Sequence, residues 1–162
     1  MFDGDTPRAL SDEELDEVEG RVTAWAARLL EELDVVEAVE RGEPGERRWY
    51  IRVRGEAKDV FSIWLTLRQR TLLAETYFIP APEEDHARFY EYALRRNLEL
   101  VGLQFAIGDE DAVYLRGHLP SEAVTDAELD RIFGTTYAVV ERCFRSMLGI
   151  GFASLLRKRT GS

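Results

Sequence analysis

Between Arg48 and Ile79 the chain alternates apolar and polar residues in three consecutive runs, Arg48–Arg54, Val60–Leu67 and Thr71–Ile79, separated only by GEAKD and RQR. A period of two belongs to strands with one buried face, and loops this short join antiparallel neighbours. Parallel strands would need a crossover of about a dozen residues or more, so an antiparallel meander is the arrangement left. Trp49, Ile51 and Val53, then Phe61, Ile63, Leu65 and Leu67, form the set expected to face a core.

The flanking segments follow the helical period. Ser11 and Glu14 are spaced as a capping box, Leu10 and Leu15 as a hydrophobic staple, and Leu15, Val18, Val22, Trp25, Leu29 and Leu33 step by three and four. Residues 41–47 (RGEPGER) then read as a turn-rich connector. After Pro80 and Pro82 a second helix is expected from Pro82 or Glu83 to about Arg96, with Asn97 near its end. Two further strands, Val101–Ile107 and Ala112–His118, flank the turn GDED, with Val101, Leu103, Phe105, Ile107, Val113 and Leu115 toward the core. Thr125 and Glu128 repeat the box, Val124 and Leu129 the staple, and a third helix carrying Ile132, Phe133, Val140 and Phe144 is expected to end before Gly149. The order α-βββ-α-ββ-α predicts an α+β fold: a five-stranded antiparallel sheet with helices packed on one face. A length of 162 residues suits one domain, here 11–156, with a flexible leader at 1–10 and a basic tail at 157–162.

The acidity is uneven. Of 31 acidic residues, 15 lie within residues 1–46 against 4 bases, while the remainder of the chain is nearly balanced. Acids at Asp12, Glu13, Glu14 and Asp16 suit the positive end of the first helix, whose acidic surface would favour a basic partner. A net charge of −10 counts against sequence-independent nucleic-acid binding, and the tail Arg157, Lys158, Arg159 is too short a cluster to change that. No stretch approaches the roughly 20 apolar residues of a membrane span, so membrane insertion is not expected. One cysteine, Cys143, and the start MFDGDTPRAL, with no basic segment before an apolar run, point to the cytoplasm.

Catalytic signatures are missing. No G-x-S-x-G elbow occurs, and Cys143 on an amphipathic helix reads as a small buried residue rather than a nucleophile. Glu83, Glu84, Asp85 and His86 point in different directions at a helix start, so neither metal nor cofactor is expected. The positive signal is the other face of the sheet, which would carry Tyr50, Arg52, Arg54, Trp64, Glu75, Tyr77, Tyr114 and Arg116. Aromatic and arginine side chains are those that anchor protein interfaces; cross-strand pairs stabilising an exposed sheet are the other use of such residues. The second helix, with Phe89, Tyr90 and Tyr92, has more aromatics than one narrow stripe takes, which would suit contact with another subunit.

The stretches DVFSIWLTLRQRTLLAETYFIPAPEEDHARFYEYALRRN, FAIGDEDAVYLRGHLP and FRSMLGIGFAS resemble the YbjN family, over roughly residues 47–156. That family is similar in fold to class I type III secretion chaperones, whose elements follow the same α-βββ-α-ββ-α order. The resemblance implies a non-enzymatic protein-binding regulator or chaperone-like homodimer that holds a partner protein, and it brings no catalytic residues with it. Secretion is not inherited with the fold. The alternative is a small-molecule or metal-binding enzyme using Glu84 and His86 or Cys143.

Overall fold

The computed structural model describes residues 6–160. The predicted meander is present as β2 (Arg48–Arg54), β3 (Val60–Leu67) and β4 (Thr71–Ile79), and the later hairpin as β5 (Gln104–Ile107) and β6 (Val113–Pro120). The sheet has six strands rather than five, because Val36–Arg41 forms a further edge strand, β1. A bulge explains why this strand escapes a period-two search. Val36 pairs with Val53 and Val39 with Ile51, both inward positions, although they are three residues apart, because the register slips between Val36 and Ala38. Pro44 and Gly45, the latter at φ +90°, turn the chain into β2, with Glu46 N–H donating to the Glu43 carbonyl. All neighbours are antiparallel, in the order β1-β2-β3-β4-β6-β5.

Among the described residues four α-helices accompany the sheet: α1 (Asp12–Glu32), α2 (His86–Asn97), α3 (Asp126–Gly151) and α4 (Ala153–Thr160). The expected capping box opens α1, with Ser11 Oγ accepting from Glu14 N–H and Glu14 accepting from Ser11 N–H. Thr125 caps Glu128 N–H in α3, but the Glu128 carboxylate turns to Arg131 at 2.6 Å instead of completing a box. Leu15, Val18, Val22, Trp25 and Leu29 are buried as the stripe requires, while Leu33 ends the helix in an extended conformation and stays exposed. Two buried indoles are satisfied across elements: Trp25 donates to Asp130 at 2.8 Å and Trp49 to Thr23 at 3.1 Å.

Four boundaries differ from expectation, the simplest being β6, expected at Ala112–His118, which runs on to Pro120. The second helix starts at His86 because Glu83 and Glu84 N–H groups donate to the Gly151 carbonyl and Asp85 adopts a left-handed conformation. The third helix continues through Gly149 to Gly151, where a side chain would strike Phe89 of α2 at 2.7 Å, and α4 follows at once. β5 begins only at Gln104, since Gly102 bends the chain at φ +79° and lays its carbonyl over Gly117 of β6. Val101, expected in the core, is therefore 73% exposed; Ile107, also expected there, lies at the end of the edge strand and is 57% exposed, whereas Leu103 and Phe105 are buried.

Of the expected leader, residues 1–5 lie outside the described residues. Residues 7–10 make contacts: Arg8 pairs with Glu14 and Glu122, Arg70 donates to the Pro7 carbonyl, and Leu10 is buried with its N–H on Gln69. Arg157–Arg159 of the tail lie in α4, and residues 161–162 are outside the described ones.

Candidate functional site: the bare face of the sheet

Strand pairing fixes which side chains share the face turned away from the core. Tyr50, Trp64, Glu75, Arg116 and Gln104 form one continuous row across five strands, and Tyr77 pairs with Tyr114 further along β4 and β6. Six of the eight residues expected on this face thus gather at its centre. Arg52 and Arg54 share the face but sit toward β1, where Glu37 pairs with both.

The central residues are ordered by contacts among themselves. Tyr50 and Trp64 meet edge to face at 5.9 Å, Tyr77 and Tyr114 at 5.5 Å, and Arg116 Nε donates to Glu75 at 2.8 Å between the two pairs. Trp64 nevertheless remains 45% exposed and Tyr77 41%. Trp64, Glu75 and Arg116 form the ridge between two shallow depressions. One, of about 330 Å³, reaches Ala106, Asp109 and Tyr114; the other, of about 240 Å³, reaches Arg48, Tyr50, Thr66, Arg68 and Leu73. Arg48 and Arg68 were missed in the sequence reading. Arg48 occupies an outward position two before Tyr50, and Arg68 another two after Thr66, just past the end of β3, so the alternation could have found both.

The field differs between the two depressions. Burial and then the carboxylates of Asp109 and Glu110, with Tyr77 and Glu75, push the Tyr114 hydroxyl up. Four residues along the same strand, burial and then Arg116 and Arg68 push the His118 imidazole down. One end of the face is negative and the other positive.

Glu84, His86 and Cys143, the residues of the enzymatic alternative, each sit in a different setting. Glu84 accepts from the Ser154 N–H at 2.6 Å and from its hydroxyl, contacts that hold the carboxyl below its ordinary range and tie the loop to the start of α4. His86 is the exposed first residue of α2. Burial pushes the Cys143 thiol up, with a smaller opposing effect from Tyr92, which disfavours the thiolate a nucleophile needs. Among the described residues no group of three or more His, Cys, Asp and Glu side chains could hold a metal ion, and no helix is long and apolar enough to cross a membrane. The aromatics of α2 are largely absorbed by the fold: Phe89 is fully buried, and Tyr90 and Tyr92 pack partly against the core. The exposed apolar residues there are Leu94 and Leu98.

The fold is similar to that of the Yersinia pestis type III secretion chaperone SycH, solved in complex with a stable fragment of YscM2, with a TM-score of 0.50 and 17% identity over 76% of this chain and 96% of that one. In sequence, an uncharacterized protein of Mycobacterium tuberculosis is 28% identical over 108 residues, covering 67% of this chain and 59% of that protein. An uncharacterized protein of Mycobacterium leprae is 26% identical over 114 residues, 70% of this chain and 62% of that protein. The chain thus spans about three fifths of the length of these relatives. Residues 21–148 match the model of a family described as "Putative bacterial sensory transduction regulator"; neither that description nor that of the chaperone is of an enzyme. With more than half of its length under that one model, the chain belongs to the YbjN family.

Proposed function

We propose that this chain is a non-enzymatic homodimer that holds a segment of a partner protein against the bare face of its sheet. The observation that carries the reading is the pair of edge-to-face aromatic contacts flanking the Arg116–Glu75 ion pair, all on a face that no helix among the described residues covers. Aromatic and guanidinium groups held in place beforehand lose little conformational freedom on binding, which is the property of interface anchors. The fold likeness supports the same role, since SycH was solved with a protein fragment bound.

The second copy has a separate place. Leu94, Leu98, Val101 and Ile107 are all large, apolar and exposed, and beside them lies an apolar hollow of about 250 Å³ lined by Tyr90, Ala93, Phe105 and Val113. Strand addition along β5 is blocked at Phe105, whose N–H and carbonyl are both taken by the Asn97 side chain at 2.7 and 3.2 Å. The copies would therefore meet through side chains of α2 and its flanks.

Capture of co-purifying proteins from native cells by the parent, and its loss when Tyr50, Trp64 and Tyr114 are all replaced by alanine, is the expected result. Undiminished capture by a folded triple variant removes the face from consideration. Light scattering tests the dimer: the parent should have twice the monomer mass at micromolar concentration and Leu94→Glu/Leu98→Glu the monomer mass, whereas a monomeric parent removes the homodimer.

A further inference from the structure

The positive end of the bare face has the composition of an anion site. Arg48, Thr66, Leu73 and His118 form one cross-strand row, adjacent to the row of Tyr50, Trp64, Glu75 and Arg116, and the depression of about 240 Å³ lies over the two with Arg68 at its rim. Leu73 points outward yet is only 3% exposed, so the surrounding longer side chains close over it and give the depression an apolar floor. Arg116 is engaged by Glu75. Among the described residues neither Arg48 nor Arg68 has a carboxylate partner. Like charges brought together on a sheet surface are unfavourable, so this gathering of guanidinium groups gains most when an anion arrives.

Charge and shape narrow the anion. A phosphomonoester carries about −1.5 to −2 near pH 7 with three acceptor oxygens, matching two unpaired guanidinium forks, where a single carboxylate would neutralise only one. The Tyr50–Trp64 pair supplies an aromatic wall and Leu73 an aliphatic floor, surfaces suited to a ring rather than to a bare ion. We propose that this cup binds a phosphotyrosine side chain of the partner protein, Arg48 and Arg68 holding the phosphate and Tyr50 and Trp64 the ring. The inference rests on the reading of the bare face as a binding surface and names what one end of it takes.

Trp64 reports on the cup, since Trp25 and Trp49 are buried. Its fluorescence is followed while the full chain is titrated with an acetylated phosphotyrosine peptide, the unphosphorylated peptide, the phosphoserine peptide and phenyl phosphate. The phosphotyrosine peptide should bind at least about tenfold more tightly than either peptide control, and Arg48→Ala/Arg68→Ala should remove at least about tenfold of that affinity. Arg48→Lys/Arg68→Lys, which keeps the charge and loses the fork, should fall between. Equal binding of the unphosphorylated peptide, or an unchanged titration in a folded double-alanine variant, overturns the proposal. Tighter binding of phenyl phosphate than of the phosphotyrosine peptide overturns the partner side chain as the source. Partner capture, tested with Tyr50, Trp64 and Tyr114 replaced, stands or falls separately from this titration.

Discussion

Neighbouring residues on β3 live under opposite physical rules. Ile63 and Leu65 are essentially inaccessible members of the core cluster that the buried residues of α1 and α3 also enter, while Trp64 between them is 45% exposed on the bare face. The inner face is held by apolar area and tight packing, in which shape matters and chemical identity little. The outer face is held by a few oriented contacts, two aromatic pairs and the Arg116–Glu75 ion pair at its centre and Glu37 on Arg52 and Arg54 toward β1, that leave much of their surface to water. One strand thus separates what keeps the molecule folded from what it can offer a partner.

Substitution at adjacent positions sharpens that division most. Leu65→Ala should cost about 2–5 kcal/mol in urea unfolding, because it empties a fully buried site. Trp64→Ala, losing one exposed cross-strand pair, should cost under about 1 kcal/mol. Equal losses at the two positions would break the comparison. Gly117→Ala comes next: its Cβ would lie 1.9 Å from the Gly102 carbonyl oxygen on the inner side of β6. A loss of about 1–3 kcal/mol is expected, with the Gly102 loop displaced and β5 less protected in hydrogen exchange. Unchanged stability and protection would mean that this close approach constrains nothing.

The same division explains what the sequence made legible. Strict alternation in Arg48–Arg54 and Val60–Leu67 marks both faces at once, which is why those two strands and the outward Tyr50, Arg52, Arg54 and Trp64 could be placed without coordinates. Where a bulge or glycine bend breaks the period, the reading fails. Val36 and Val39 are spaced like a helix and still point the same way from a strand, and Val101 falls outside the sheet because Gly102 turns the backbone first. Arg68 keeps the period of Trp64 and Thr66, but it lies in the loop after β3, and only the paired strands show that it lines the same depression as Arg48.

Charge gives the finest test, because acids on the helical side are tied into the fold while two arginines on the sheet side are not. Glu14 accepts the Ser11 N–H and both Arg8 nitrogens, and the Arg8 guanidinium, followed by the Ser11 amide, lowers its carboxyl to about 2 from an ordinary 4.5. A carboxyl whose folded pKa is depressed adds stability that is complete above about 4.5 and fades as pH falls toward about 2, since the unfolded chain takes up the proton first. Glu14→Gln should flatten that part of the acid profile in thermal unfolding, and Ser11→Ala should lower stability by about 1 kcal/mol at neutral pH through the lost cap. Arg48→Ala/Arg68→Ala should leave the acid profile unchanged and the neutral stability the same or slightly higher, because neither side chain has a carboxylate partner among the described residues and their mutual repulsion is removed. A double-arginine variant that unfolds earlier would show those charges to be structural after all, and would move them to the same class as Arg8 and Glu14.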